Sequence, residues 1–239
     1  MRCKALAVGA FCLLICGHAG SLFGQQRFAG WGALVDPDGD CAAKVENGRL
    51  TFTIVGHHDI NDDVQRIMNA PRVLQEIEGD FVALIKVGGE FKPAGPSTWG
   101  DGRPPYNGGG LLIWQDEKNY IRLERGAIQL NGQIVDFLNL HQQKDGRVET
   151  NRFELRLKRE RAQLRLERRN GRLYTSATYD HQVWQGYPPL EAELPGKLEI
   201  GVAAVSTSAA PLTPEFSEFE LYRRAPPDPG EAVHLKPRP

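Results

Sequence analysis

Residues 110–125 read GLLIWQDEKNYIRLER: two runs of alternating apolar and polar residues around Asp116-Glu117-Lys118-Asn119. A period of two marks a half-buried strand, because successive side chains leave opposite faces of a pleated backbone. With the turn centred on Glu117-Lys118, Gln115 pairs with Tyr120 and Trp114 with Ile121. Trp114, Leu112, Ile121 and Leu123 then form an apolar face. Gln115, Tyr120, Arg122 and Glu124 share the polar face, in line with Glu154 and Arg156 and with Arg165 and Glu167 on the strands expected beside them. The assignment depends on turn length, since one residue more or less exchanges the two faces of a strand.

The same period recurs along the chain. GRLTFTIVG places Leu50, Phe52 and Ile54 on one face, and DFVALIKVGG alternates Phe81, Ala83, Ile85 and Val87. FELRLKRERAQLRLERRNGRLYTSATYD reads as three strands, the last two joined by Asn170-Gly171, whose residues both accept positive φ. KLEIGVAAVS and EFSEFELYR add two more. Strands at this spacing without crossover helices predict an all-β antiparallel sandwich or barrel. A short helix fits only around Asp62 to Met68. Residues 90–110, EFKPAGPSTWGDGRPPYNGGG, are rich in Gly and Pro and read as a long loop, functional or disordered.

Arg2 and Lys4 precede the apolar run Ala5–Cys16, followed by the small residues of Gly17-His18-Ala19. This is the pattern of a cleaved signal peptide, residues 1–19, and the run is too short to span a bilayer as a helix. The expected product is secreted, extracellular or periplasmic, with a domain over 20–224 and a flexible Pro-rich tail over 225–239. Cys3, Cys12 and Cys16 fall in the leader, so the mature chain keeps Cys41 alone and forms no intrachain disulfide. Cys41 itself reads as a small packing residue. The formal net charge is −1, and the basic residues from Arg147 to Arg172 are interleaved with glutamates. That excludes the sustained positive surface of a nucleic-acid binder.

Five stretches, GWGALVDPDGDC, NAPRVLQEIEGDFVALIKV, GGGLLIWQDEKNYIRLER, LRLERRNGRLYTSATYDHQVW and PGKLEIGVAAVSTS with FSEFELY, resemble the concanavalin A-like lectin/glucanase superfamily. Within it they are similar to the regulation-of-enolase type of domain. The resemblance runs from Trp31 to Tyr222. It implies a two-sheet jelly roll with one convex and one concave sheet, glycan bound at the concave side or its rim, and structural roles for Trp31 and Trp184. It carries no catalytic residues onto this chain.

Several residues compete for a site. Asp36, Asp38 and Asp40 alternate as in a calcium loop. Counted from Asp36, however, Cys41 and Asn47 stand where an EF-hand needs Gly and Glu. An Asp-Pro-Asp-Gly turn is the favoured reading, with calcium in another geometry as the alternative. Glu76, Glu78 and Asp80 suggest the acid pair of a glucanase, but Gly79 marks a hairpin instead. His57, His58 and Asp59 read as a surface loop, and neither His141 nor His181 has a metal-ligand spacing. The favoured ligand set is Gln115, Tyr120, Arg122 and Glu124 on a polar sheet, with Trp99 and Tyr106 from the long loop at its rim. Three functions follow: a non-catalytic module that binds a glycan or a cell-surface ligand, a glycoside hydrolase or lyase, or a structural interaction module. The missing acid motif counts against the second, and the long aromatic loop separates the first from the third.

Export is directly testable. N-terminal sequencing of the released protein should find a start near Gly20, and a full-length form integrated in the membrane would contradict the leader assignment.

Overall fold

The computed structural model describes residues 25–61, 67–100, 102–153, 155–157, 161–179 and 182–224. The expected leader, the expected tail, Glu154 and His181 lie outside the described residues. Seventeen strands follow in chain order: β1 (Arg27–Phe28), β2 (Gly32–Val35), β3 (Ala42–Glu46), β4 (Arg49–Thr53), β5 (Ile60–Asn61), β6 (Ile67–Met68), β7 (Arg72–Glu78), β8 (Asp80–Glu90), β9 (Tyr106–Asp116), β10 (Asn119–Leu130), β11 (Gln133–Lys144), β12 (Arg147–Arg152), β13 (Ala162–Arg169), β14 (Arg172–Thr178), β15 (Gln185–Glu191), β16 (Lys197–Ser206) and β17 (Thr213–Arg224). Among the described residues, fifteen of these strands form an eight-stranded sheet in the order β1-β2-β7-β16-β9-β10-β11-β12 and a seven-stranded sheet in the order β15-β14-β13-β8-β17-β4-β3, and β5 and β6 pair apart from both. All pairings are antiparallel, and the protein is a two-sheet jelly-roll sandwich. Among the described residues no helix is long and apolar enough to cross a membrane.

The core lies between the sheets. Leu50, Phe52, Ile54, Phe81, Ala83, Ile85 and Val87 are fully buried from the second sheet, as their alternation requires. Gly79 and the Asn170-Gly171 pair take positive φ at the two expected hairpin turns. Trp31 stacks on Phe219 at 5.4 Å and packs as expected. Trp184 does not: it is 40% exposed, just before β15, which among the described residues is the edge of its sheet.

The hairpin of β9 and β10 corrects the expected faces. Asn119 pairs with Asp116 as the turn predicts, but Tyr120 then pairs with Trp114 rather than Gln115. Gln115 is the extra residue of a bulge. The bulge follows from the turn chemistry: Asp116 accepts hydrogen bonds from the Lys118 N–H at 2.8 Å and from the Asn119 amide at 3.0 Å. On β10 the faces stand as expected. On β9 they are exchanged, so Leu111 and Ile113 enter the core with Ile121 and Leu123, while Leu112 and Trp114 face outward with Tyr120.

Three further expectations change. The long loop covers only 91–105, because Gly108-Gly109-Gly110 belongs to β9. A Cβ on Gly110 would lie 2.2 Å from the Leu123 carbonyl oxygen, and one on Gly109 would press on Phe91 and Phe216. A glycine run reads as a loop, but here it lets strands and rings approach. The strand expected from Phe153 is displaced to Arg147–Arg152, which pairs with β11 and leaves Arg156 a single bridge to Phe137. Of the helix expected at 62–68, Ile67 and Met68 form β6, paired with β5, and 62–66 lie outside the described residues.

The exchanged faces predict opposite mutational costs. Ile113→Ala should destabilise by about 2–5 kcal/mol in urea denaturation, and Gln115→Ala by no more than about 0.5 kcal/mol. Equal effects would contradict the bulge.

Candidate ligand site on the outward face of the first sheet

Register places the site. Tyr120, Arg122 and Glu124 alternate along β10 and face outward. Their partners on β11 are Gln143, His141 and Asn139, and β9 contributes Trp114, Leu112 and Tyr106. Arg165 and Glu167, expected beside this set, lie on β13 in the other sheet. Gln115 also leaves the set through the bulge. It borders a separate cavity of about 450 Å³ with Asn119, Gln142 and Lys144, which Tyr120 reaches from its side.

This face is not an open, solvated surface. Residues 57–61 and 67–70, with 91–100 and 102–105 of the long loop, cover it, and Ile60, Ala70, Leu74, Leu112, Trp114, Phe137 and Val205 make a second apolar cluster there. Within that cover sits a polar network. Asp59, 1% exposed, accepts hydrogen bonds from the Trp99 indole N–H at 2.8 Å and from Arg122 Nη1 at 3.4 Å. Glu124, 2% exposed, accepts the Tyr106 hydroxyl at 2.6 Å and the Asn139 amide at 2.7 Å, with Arg122 Nη1 at 3.9 Å. The Tyr120 hydroxyl donates to the Ile60 carbonyl at 3.1 Å. Asn69 holds the Asp59 backbone N–H, and Thr98 anchors the loop on the Thr207 carbonyl.

Burial and charge set the proton affinities. Burial alone would depress the Arg122 guanidinium, but Glu124 and Asp59 outweigh it and hold it above its ordinary value. Burial, with Glu124 beside it, pushes the Tyr106 hydroxyl well up. Burial and the Arg122 charge push His141 down to about 3, so its imidazole is neutral, with Nε2 3.2 Å from the Gln143 amide oxygen.

The aromatic groups are arranged in two rows. Trp114, Tyr120 and His141 stack in a row at 5.8 and 5.6 Å, and the Arg72 guanidinium covers the Trp114 ring at 4.4 Å. Trp99 stacks on Tyr106 at 6.0 Å. A second row continues from Tyr106 to Phe137 and on to Phe153, which is exposed. Five of the six expected ligand residues, Trp99, Tyr106, Tyr120, Arg122 and Glu124, are therefore brought together under a cap. Asp59, Trp114, Asn139 and His141 join them. The β11 residues were detectable from the alternation Phe137, Asn139, His141, Gln143. Asp59, expected in a surface loop, is buried instead, and spacing did not reveal this because its partners are distant in sequence.

The other candidates are placed elsewhere. Glu76 is exposed and pairs with Lys197 at 2.7 Å, and Asp80 accepts the Asn170 N–H. Asp36, Asp38 and Asp40 do not converge. Asp36 caps the Cys41 N–H at 3.0 Å, Asp38 accepts the Asn69 amide at 2.7 Å, and Asp40 pairs with His58 at 2.9 Å. His58 is buried rather than in a surface loop. Cys41 is half-buried against the core. Burial, Asp36 and Asp40 push its thiol up to about 12.

No protein-family model and no curated protein matches the sequence. Solved structures do match the fold. A functionally unknown protein from Saccharomyces cerevisiae aligns at TM-score 0.64 and 16% identity, over 82% of this chain and 97% of that one. A xylan β-1,4-xylosidase from Bacillus halodurans C-125 aligns at 0.52 and 13%, over 80% of this chain but 39% of its own length. A legume lectin-like domain from Entamoeba histolytica aligns at 0.50 and 11%, over 80% and 89%. The chain shares the concanavalin-like sandwich fold with these proteins.

His141 predicts a pH dependence. Its folded value of about 3 lies below the ordinary 6.5, so the unfolded chain binds the extra proton between them. The stability it contributes is complete above about pH 6.5 and declines as pH falls toward 3. His141→Gln should flatten that part of the melting-temperature profile. Parallel profiles for the two proteins would contradict the buried neutral imidazole.

Proposed function

We propose that the protein is a secreted, non-catalytic sandwich module of the regulation-of-enolase type, and that it binds a glycan or similar hydroxyl-rich cell-surface ligand. The binding surface is the outward face of the first sheet, reached when the Asp59–Trp99 cap lifts. One observation carries this reading: Arg122, Asp59, Glu124, Asn139 and His141 are gathered and buried outside the sandwich core. An apolar cover would stabilise that face at least as well, since well-packed hydrophobic residues often replace a buried ion pair without loss. Convergent polar groups beside aromatic surface are what a sugar-binding site needs. Phe153 supplies an accessible ring at the end of the row that starts beneath the cap. Binding is favoured over hydrolysis because the acid set expected of a glucanase is not assembled: Glu76 is exposed and paired with Lys197, and Asp80 accepts the Asn170 N–H.

A glycan array with parallel reducing-sugar assays tests the proposal. Binding should be found without turnover, and Phe153→Ala and Trp99→Ala should each weaken it while Trp184→Ala leaves it intact. Phe153 is exposed, so its loss leaves the fold in place. Absence of any glycan ligand, or turnover lost in Glu124→Gln, would overturn it.

A further inference from the structure

We infer that Asp40, Cys41 and His58 form a site for a thiophilic divalent cation of the zinc type. The carboxylate, thiol and imidazole are offered by two segments that only the fold brings together. Asp40 Oδ1 lies 2.9 Å from His58 Nε2 and 3.7 Å from Cys41 Sγ, and the three ligand atoms all fall within 4.8 Å of one another. Tetrahedral zinc with bonds of about 2.0–2.3 Å separates its ligand atoms by roughly 3.3–3.7 Å. The Asp40–Cys41 separation already fits, the Asp40–His58 pair must spread by a few tenths of an ångström, and His58 and Cys41 lie within 4.8 Å, close enough to be drawn onto one ion. One sulfur, one nitrogen and one oxygen suit a borderline-soft ion, whereas calcium needs six to eight oxygens.

Two independent features support a ligand here. His58 is 2% exposed, and its Nε2 points at the Asp40 carboxylate. Its backbone is fixed by two hydrogen bonds with Ser206, so the ring is held in place before any ion arrives. Asp36, whose Oδ2 caps the Cys41 N–H, keeps Oδ1 buried and unpartnered, a spare acceptor beside the cluster. Asp40 is more than half exposed and opens an entry path. Binding releases the Cys41 thiol proton to solvent and leaves His58 neutral, with its proton on Nδ1.

The position gives such an ion a structural consequence. Asp40 and Cys41 end the turn that leads into β3, the edge of the second sheet, while His58 precedes Asp59 in the cap on the first sheet. A bound ion ties the edge of one sheet to the cover of the other.

The test uses the full chain with Cys3, Cys12 and Cys16 replaced by serine, so that Cys41 is the sole thiol. Zn²⁺ is titrated against a chromophoric chelator, and Co²⁺ is added separately to read the thiolate-to-metal absorption band. One equivalent should bind and raise the melting temperature, and Ca²⁺ should not compete. Cys41→Ser and Asp40→Ala should each weaken Zn²⁺ by more than about tenfold, since even outer-shell losses cost that much. Asp40 is exposed, so its variant folds, and Asp38→Asn should bind as the parent does. Absence of zinc uptake, or uptake unchanged by Cys41→Ser, would overturn the site.

Discussion

A guanidinium buried on the outside of a sheet is the constraint on which the rest of this face depends. Arg122 is 5% exposed, and its charge requires partners that the sheet alone does not supply. Glu124 comes from the same strand, and Asp59 from a segment more than sixty residues earlier. Asp59 in turn fixes Trp99, and Trp99 lies on Tyr106, whose hydroxyl returns to Glu124. The circuit closes on itself, which explains why a loop of Gly and Pro lies folded against the sheet. It also keeps His141 neutral next to a cation.

Much of the architecture was legible because a strand buried on one face declares itself by alternation. Leu50-Phe52-Ile54 and Phe81-Ala83-Ile85-Val87 needed no tertiary information, and Asn170-Gly171 announced its hairpin through backbone conformation. The β9–β10 register was not legible. A side chain-to-backbone bond from Asp116 and a side-chain bond to Asn119 accommodate one extra residue, and no hydrophobic pattern records such a bulge. Both faces of β9 are apolar in this protein, so alternation could not arbitrate between Trp114 and Ile113. The same double burial hid Gly108-Gly109-Gly110, since a glycine run chosen for close approach looks like one chosen for freedom.

The site was half legible for a related reason. Tyr120, Arg122 and Glu124 share a strand, and their common face follows from spacing. The cap that buries them does not, because Asp59 and Trp99 meet Arg122 and Tyr106 only through the fold. The aspartates at 36, 38 and 40 show the opposite case. Their spacing suggests one shared ion, yet the chain sends each carboxylate to a different partner, and only Asp40 joins a set of potential ligand atoms.

The proposed ligand site under the cap differs from a small second core in that a sugar reaches Trp99. The indole N–H resonance of Trp99, donated to Asp59, reports that point directly. Titration with a pool of plant and microbial oligosaccharides, followed by NMR, should shift this resonance and leave that of exposed Trp184 in place. A Trp99 signal that stays fixed at saturating sugar, or shifts confined to Trp184, would contradict it.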